Sequence, residues 1–132
     1  MNSFEPRDPR HALGKRGEEI AARALRRAGY KVLYRNYRAR GGGEVDLVCR
    51  HRDTLVFVEV KTRSSQAYGA PAEAVTKQKQ HLVARGALSW LRLLDHPDIH
   101  FRFDIVEVSV DGTSAATCII ENAFTLPEFY RY

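Results

Sequence analysis

Asp46, Glu59 and Lys61 are the residues of this chain whose types and spacing suit chemistry at a phosphorus centre. They fall in two runs rich in Val, Leu and Phe, residues 44–49 and 55–60, separated by the polar residues 50–53. That pattern predicts a β-hairpin. Side chains alternate between the faces of a strand, so Glu44, Asp46 and Val48 share one face and Leu55, Phe57, Glu59 and Lys61 share another. With the turn centred between Arg52 and Asp53, Asp46 falls opposite Glu59 and Glu44 opposite Lys61. Directly opposed Cβ atoms stand roughly 4.5–5.5 Å apart, so two carboxylates and an ammonium group converge on one patch.

Opposed carboxylates repel, and one of them has its pKa pushed up unless something neutralises the pair. A divalent cation removes the conflict: Mg²⁺ prefers oxygen ligands, keeps several waters, and is commonly held by one or two carboxylates together with substrate phosphates. Lys61 is then positioned to orient a water or to offset charge developing on phosphorus. The competing reading is a hairpin with ordinary surface charges, Glu59 pairing with Lys61 or Arg50. Against it, Val56, Val58 and Val60 on one side and Leu55 and Phe57 on the other make the second strand apolar on both faces. A central, covered strand has that composition.

Further elements must position these groups. Leu13, Gly17, Ile20, Ala21, Ala24, Leu25 and Ala28 recur at helical spacing over residues 11–28, with Gly29 as the stop. About 100° separates Glu18 from Glu19 on such a helix. Glu18 is expected to face inward, towards the acidic patch or an arginine, and Glu19 outward in an i, i+4 pair with Arg23. A short strand over 30–34 and a flexible connection over 35–43 follow. The connection carries Arg35, Arg38 and Arg40, suited to gripping phosphates or to simple solvation. Arg63 begins a loop just past the active strand. A second helix is expected over 72–94, with Thr76 capping a break near its start and Trp90 as a core anchor. Strands over 101–110 and 117–120 precede an aromatic tail, residues 122–132, that folds back on the core.

The chain has 132 residues, enough for one domain at 10–132 behind a loose arm at 1–9. No apolar run approaches the ~20 residues of a membrane span, and the first residues lack a signal-peptide core, so a cytoplasmic protein is expected. Cys49 and Cys118 have no zinc-ligand spacing and are expected to be reduced, buried thiols. Lys and Arg number 21 against 16 Asp and Glu, a net +5, and sixteen of the 21 are Arg. That balance suits a polyanionic partner.

Asp46 followed by Glu59-Val60-Lys61 resembles the D…(D/E)xK signature of the restriction-endonuclease-like superfamily. The wider wording, Gly17-Glu18, GEVDLV, FVEVKTR, Val75-Thr76, Lys79-Gln80 and Arg102-Phe103-Asp104, is similar to the YraN-type family of small bacterial endonuclease-like proteins. That family is related in fold to archaeal Holliday-junction resolvases. The resemblance implies an α/β fold, a restriction-endonuclease-like mixed sheet of about five strands flanked by helices in the order αβββαββ. It implies a metal-dependent endonuclease on structured or branched nucleic acid, DNA rather than RNA, in repair or recombination. Asp46, Glu59 and Glu18 would hold Mg²⁺ or Mn²⁺, Lys61 would act with them, and Lys79 and Gln80 would support the site or touch phosphate with Arg35, Arg38, Arg40 and Arg63. Junction resolvases of similar fold act as dimers, and the Trp90 helix or the tail could supply a homodimer interface here. The alternative is a nucleic-acid-binding module that keeps the fold without cutting. Val45 stands where the superfamily often has proline before the first Asp, and the Gln-x-x-x-Tyr element of one nuclease branch is missing.

Overall fold

β3 (Thr54–Ser64) is the strand on which everything packs: Leu55, Val56, Phe57 and Val58 are buried on both of its faces. The computed structural model describes residues 9–64 and 75–130. Their order is α1 (Pro9–Arg27), β1 (Lys31–Arg38), β2 (Glu44–His51), β3, α2 (Lys77–Leu93), β4 (His100–Asp111) and β5 (Ser114–Phe124). The strands form one sheet in the order β1-β2-β3-β4-β5. β1, β2 and β3 run antiparallel in succession, β3 and β4 run parallel, and β5 returns antiparallel. A parallel pair needs a crossover, and α2 supplies it. This is the αβββαββ mixed α/β class expected from the sequence.

Alternation along β3 divides the core. Val56 and Val58 pack with Ala21, Ala22 and Leu25 of α1, while Leu55 and Phe57 pack with Val83, Ala87 and Leu91 of α2. One helix therefore covers each face. Burial of the Val, Leu and Phe side chains among these contributes about 1.5–3 kcal/mol apiece, enough to fix strand order and helix placement. No helix among the described residues is long and apolar enough to cross a membrane.

Several expected boundaries move. α1 begins at Pro9, within the segment read as an arm, and residues 1–8 lie outside the described residues. β1 runs to Arg38, so Arg35 and Arg38 sit on a strand rather than in a flexible connection. Pairing with β2, including Arg35↔Leu47 and Arg38↔Glu44, carries the strand through those polar residues. α2 starts at Lys77 rather than residue 72, because the Thr76 hydroxyl accepts the Lys79 N–H at 3.1 Å and caps it. Residues 65–74, including most of the expected loop after Arg63, lie outside the description. β5 is longer than residues 117–120, and almost all of it is exposed. Cys49 is buried as expected but Cys118, on that edge strand, is exposed. Trp90 is a partial anchor: it packs against the α2-side core at its margin, with Tyr34 and Tyr37 at ring-centroid distances of 5.5 and 5.2 Å. Phe124 and Leu126 fold back on that core, whereas Phe129 is exposed.

A buried polar network ties the layers together at Asp104. Its carboxylate accepts from Tyr30 Oη at 2.7 Å, Arg102 Nε at 2.9 Å and the Asn122 N–H at 3.0 Å. Tyr30 leads out of α1 and its ring stacks on His51 at 4.1 Å, so this one carboxylate links α1, β2, β4 and β5. The Asn122 contact falls where β4–β5 register shifts between Phe103 and Ile105, with Asn122 at φ +51°. Removing a single member of a buried ion pair leaves the other charge unpaired, a loss of roughly 3–5 kcal/mol. Asp104→Ala is therefore expected to lower the free energy of unfolding by about that amount in urea titrations, and a loss below about 1 kcal/mol would contradict the network's role.

Candidate functional site

The β2–β3 ladder runs from His51↔Thr54 to Leu47↔Val58, the register expected from the turn. One residue further, the pattern changes. The Val60 N–H, which points towards β2, is accepted at 2.8 Å by the Asp46 carboxylate rather than by a backbone carbonyl. Asp46 thus stands in for the ladder where the two strands part, beside Glu59, and the two carboxyl groups share a hydrogen bond.

Glu59 is 4% exposed and its Oε2 has no partner among the described residues. Burial raises the Glu59 pKa most, and the charge of Asp46 raises it further, against the opposing pull of Lys79 and Lys61. Burial also raises Asp46, offset by the Val60 N–H and by Lys79. Two carboxylates held side by side disfavour ionising together, which is why both are raised. Such a pair is short of positive charge, and the free Oε2 is a lone-pair donor directed at no protein group.

α2 supplies one cation. Lys79 Nζ lies 2.6 Å from Glu44 Oε1 and 3.5 Å from Glu59 Oε1. Burial alone would lower the Lys79 pKa, but its bond to Glu44 and the charges of Glu59 and Asp46 outweigh burial and raise it. The Lys79 hydrogen bond in turn holds Glu44 below its ordinary value. Two glycines allow this approach. A Cβ on Gly43 would stand 2.6 Å from the Gly86 nitrogen, and one on Gly86 would meet Val45 and the Glu44 backbone at 2.9–3.0 Å. Helix and strand therefore touch backbone to backbone.

Glu18 arrives from the other face. A Cβ on Gly17 would fall 1.8 Å from Thr62 Oγ1, so only glycine lets α1 lie against β3 here. Glu18, the next residue, is half-buried; burial and then the charge of Asp46 raise its pKa, while a hydrogen bond from Asn36 lowers it. Its inward direction agrees with the helical spacing. Glu19 is exposed as expected, but pairs with Arg35 of β1 instead of Arg23.

Of the residues singled out from sequence, Asp46, Glu59, Glu18, Lys61 and Lys79 gather around the end of the β2–β3 ladder. Lys79 belongs with the acids rather than on an outer rim. Arg38 pairs with Glu44 at 2.7 Å, and Gln80 donates to the Val75 carbonyl at 3.1 Å, bracing the entry to α2. Arg63 lies by Ser109, with Nε–Oγ 3.5 Å, and Arg40 lines a separate cleft beside α2. Among the described residues no group of three or more His, Cys, Asp or Glu is assembled into a cage for a metal ion. Glu44 was placed opposite Lys61 by register; the ladder ends before that pair, and Glu44 meets Lys79 instead. Its partner lies 35 residues away, a separation at which spacing along the chain carries no signal.

The arrangement defines a class: an α/β protein with paired acids at the end of a central hairpin. A family model described as Uncharacterised protein family UPF0102 matches residues 17–108, a span that holds both acids, Glu18 and Lys79. The chain is 45% identical to a UPF0102 protein of Nitratidesulfovibrio vulgaris over 124 residues, covering 92% of this chain and 90% of that one. It is 45% identical to one of Geobacter metallireducens over 115 residues, 87% and 93%, and 50% identical to one of Nocardia farcinica over 99 residues, 75% and 77%. The chain belongs to the UPF0102 family.

The raised carboxyl gives a stability signature. A carboxyl with a raised folded-state pKa favours folding while protonated. The protein therefore loses that contribution as pH rises from the ordinary carboxylate range through the folded-state value. Glu59→Gln, which cannot ionise, is expected to gain melting temperature relative to wild type as pH increases over this window, without metal. A difference between the two that is flat with pH would show that Glu59 ionises normally.

Proposed function

We propose that this protein is a metal-dependent endonuclease of structured or branched nucleic acid, DNA rather than RNA, serving repair or recombination. The observation that carries the reading is buried Glu59 beside half-buried Asp46, with Glu59 Oε2 unpartnered among the described residues. Oxygen donors short of positive charge suit a hard divalent cation, so Asp46 and Glu59 would hold Mg²⁺ or Mn²⁺, with Glu18 adding a contact directly or through water. The ion, when bound, supplies Lewis acidity towards a phosphate and a more acidic water. Lys61, on the Glu59 face of β3, would orient the attacking water. Lys79 keeps Glu44 and Glu59 oriented, and the chain's net +5 favours a polyanion. The resemblance of the D…ExK wording to the restriction-endonuclease-like superfamily and the YraN-type proteins points the same way.

A second reading has its own support. Lys79 already neutralises part of the acidic cluster through Glu44 and Glu59, as it would in a nucleic-acid-binding module that keeps the fold without cutting. Labelled junctions, flaps, duplexes and single strands of DNA and RNA, incubated with Mg²⁺, Mn²⁺ or EDTA, separate the two. Metal-dependent products are expected, lowered roughly 100- to 1000-fold by Asp46→Asn or Glu59→Gln, the equivalent of several kcal/mol of lost charge stabilisation. Binding without cleavage under any metal would leave the module.

A further inference from the structure

The connection between β1 and β2 has two sides. One side delivers Glu44 and Asp46 to the acids. The other, with α2, encloses a cleft of about 280 Å³ lined by Arg40, Arg85, Arg92, Ser89, Tyr130 and the glycines of the connection. Arg85 and Arg92 are seven residues apart on α2, two turns, and so occupy one face of the helix. Arg40 comes from the strand side.

Three arginines of the sheet are matched by carboxylates. Arg35 pairs with Glu19, Arg38 with Glu44 and Arg102 with Asp104. Arg40, Arg85 and Arg92 have no carboxylate within ion-pair distance among the described residues, yet they face one cleft. All three are exposed, and like charges gathered around one cleft attract an anion to it. The glycine connection keeps the space open. A Cβ on Gly42 would stand 3.4 Å from Arg85 Nη1, and Gly42 itself takes φ +90°, a conformation L side chains avoid. A planar guanidinium offers paired donors to phosphate oxygens, and the Tyr130 hydroxyl adds a further polar group.

We infer that this cleft is a phosphate-binding subsite that grips the backbone of a nucleic-acid strand beside the Asp46–Glu59 site. The identity of the anion rests on the nuclease reading; the cleft and its unpaired arginines stand apart from it. The strand passes over the 39–43 connection, one phosphate held by Arg85 and Arg92, and continues to the acids that the same connection presents. Arg40 closes the cleft from the β1 side. The site holds phosphate without reading bases, so it contributes affinity and register rather than sequence preference.

The test uses the full chain in EDTA, with a fluorescent four-way DNA junction and a labelled single strand, followed by anisotropy across a salt series. The double variant Arg85→Gln/Arg92→Gln is expected to bind about tenfold more weakly and to lower the slope of log K against log salt by roughly one to two. Arg23→Gln/Arg27→Gln removes the same charge from exposed positions on α1 and is expected to leave both within about twofold of wild type. If the α2 variant melts at the wild-type temperature and keeps the wild-type slope, the subsite does not exist. Equal weakening by both double variants would reduce it to net charge and overturn it as well. If wild type binds no nucleic acid, the nuclease reading falls. Inorganic pyrophosphate, titrated against the arginine Nε–H resonances, then decides: saturable shifts at Arg85 and Arg92 uphold an anion site of another source, and their absence overturns it.

Discussion

The Asp46 carboxylate accepts the Val60 N–H at the point where β2 and β3 separate, and the rest of the site depends on that bond. A strand pair that ended in water would leave its last donors solvated and its acids free. Here a side chain replaces the backbone acceptor, which holds half-buried Asp46 beside buried Glu59. Desolvation then does the electrostatic work. It raises both carboxyl pKa values, draws Lys79 towards Glu44 and Glu59, and leaves one oxygen of Glu59 without a partner.

Holding acids there requires close backbone approaches from both sides of the sheet. Gly17 lets α1 settle on Thr62, and the Gly43–Gly86 contact lets α2 cross the start of β2. A methyl group at any of these positions would clash with the facing strand or helix and force it to shift. On the far side of the site, Asp104 anchors α1, β2 and β4–β5 through Tyr30, Arg102 and Asn122. The sheet is thus braced by one buried carboxylate whose partners are complete. It carries another pair whose partners are not, and the contrast separates a structural acid from acids that can take a ligand.

Charge is distributed to match. Acids and Lys79 occupy the notch between the strands, and arginines with and without partners surround it. Arg35 and Arg38, expected in a flexible connection, are instead fixed on β1 by pairing with β2 and are occupied by Glu19 and Glu44. The arginines that share the cleft beside α2, Arg40, Arg85 and Arg92, come from segments more than forty residues apart in part, and no local pattern joins them.

Sequence by itself determined the elements that have a period. The apolar run of β3, the alternation of the hairpin and the register that sets Asp46 beside Glu59 were legible because strand geometry is local and repeats every two residues. So were the inward turn of Glu18 and the Thr76 cap, which follow from helix geometry and one hydroxyl. Tertiary structure decided what depends on contacts between distant segments. It carried β1 through Arg35 to Arg38, lengthened β5, exposed Cys118, and gave Glu19 and Glu44 the partners Arg35 and Lys79. The physical reason is that burial and ion pairing are properties of neighbours in space: a charge has the same identity in every sequence context, and its pKa and partner exist only once the sheet has closed around it.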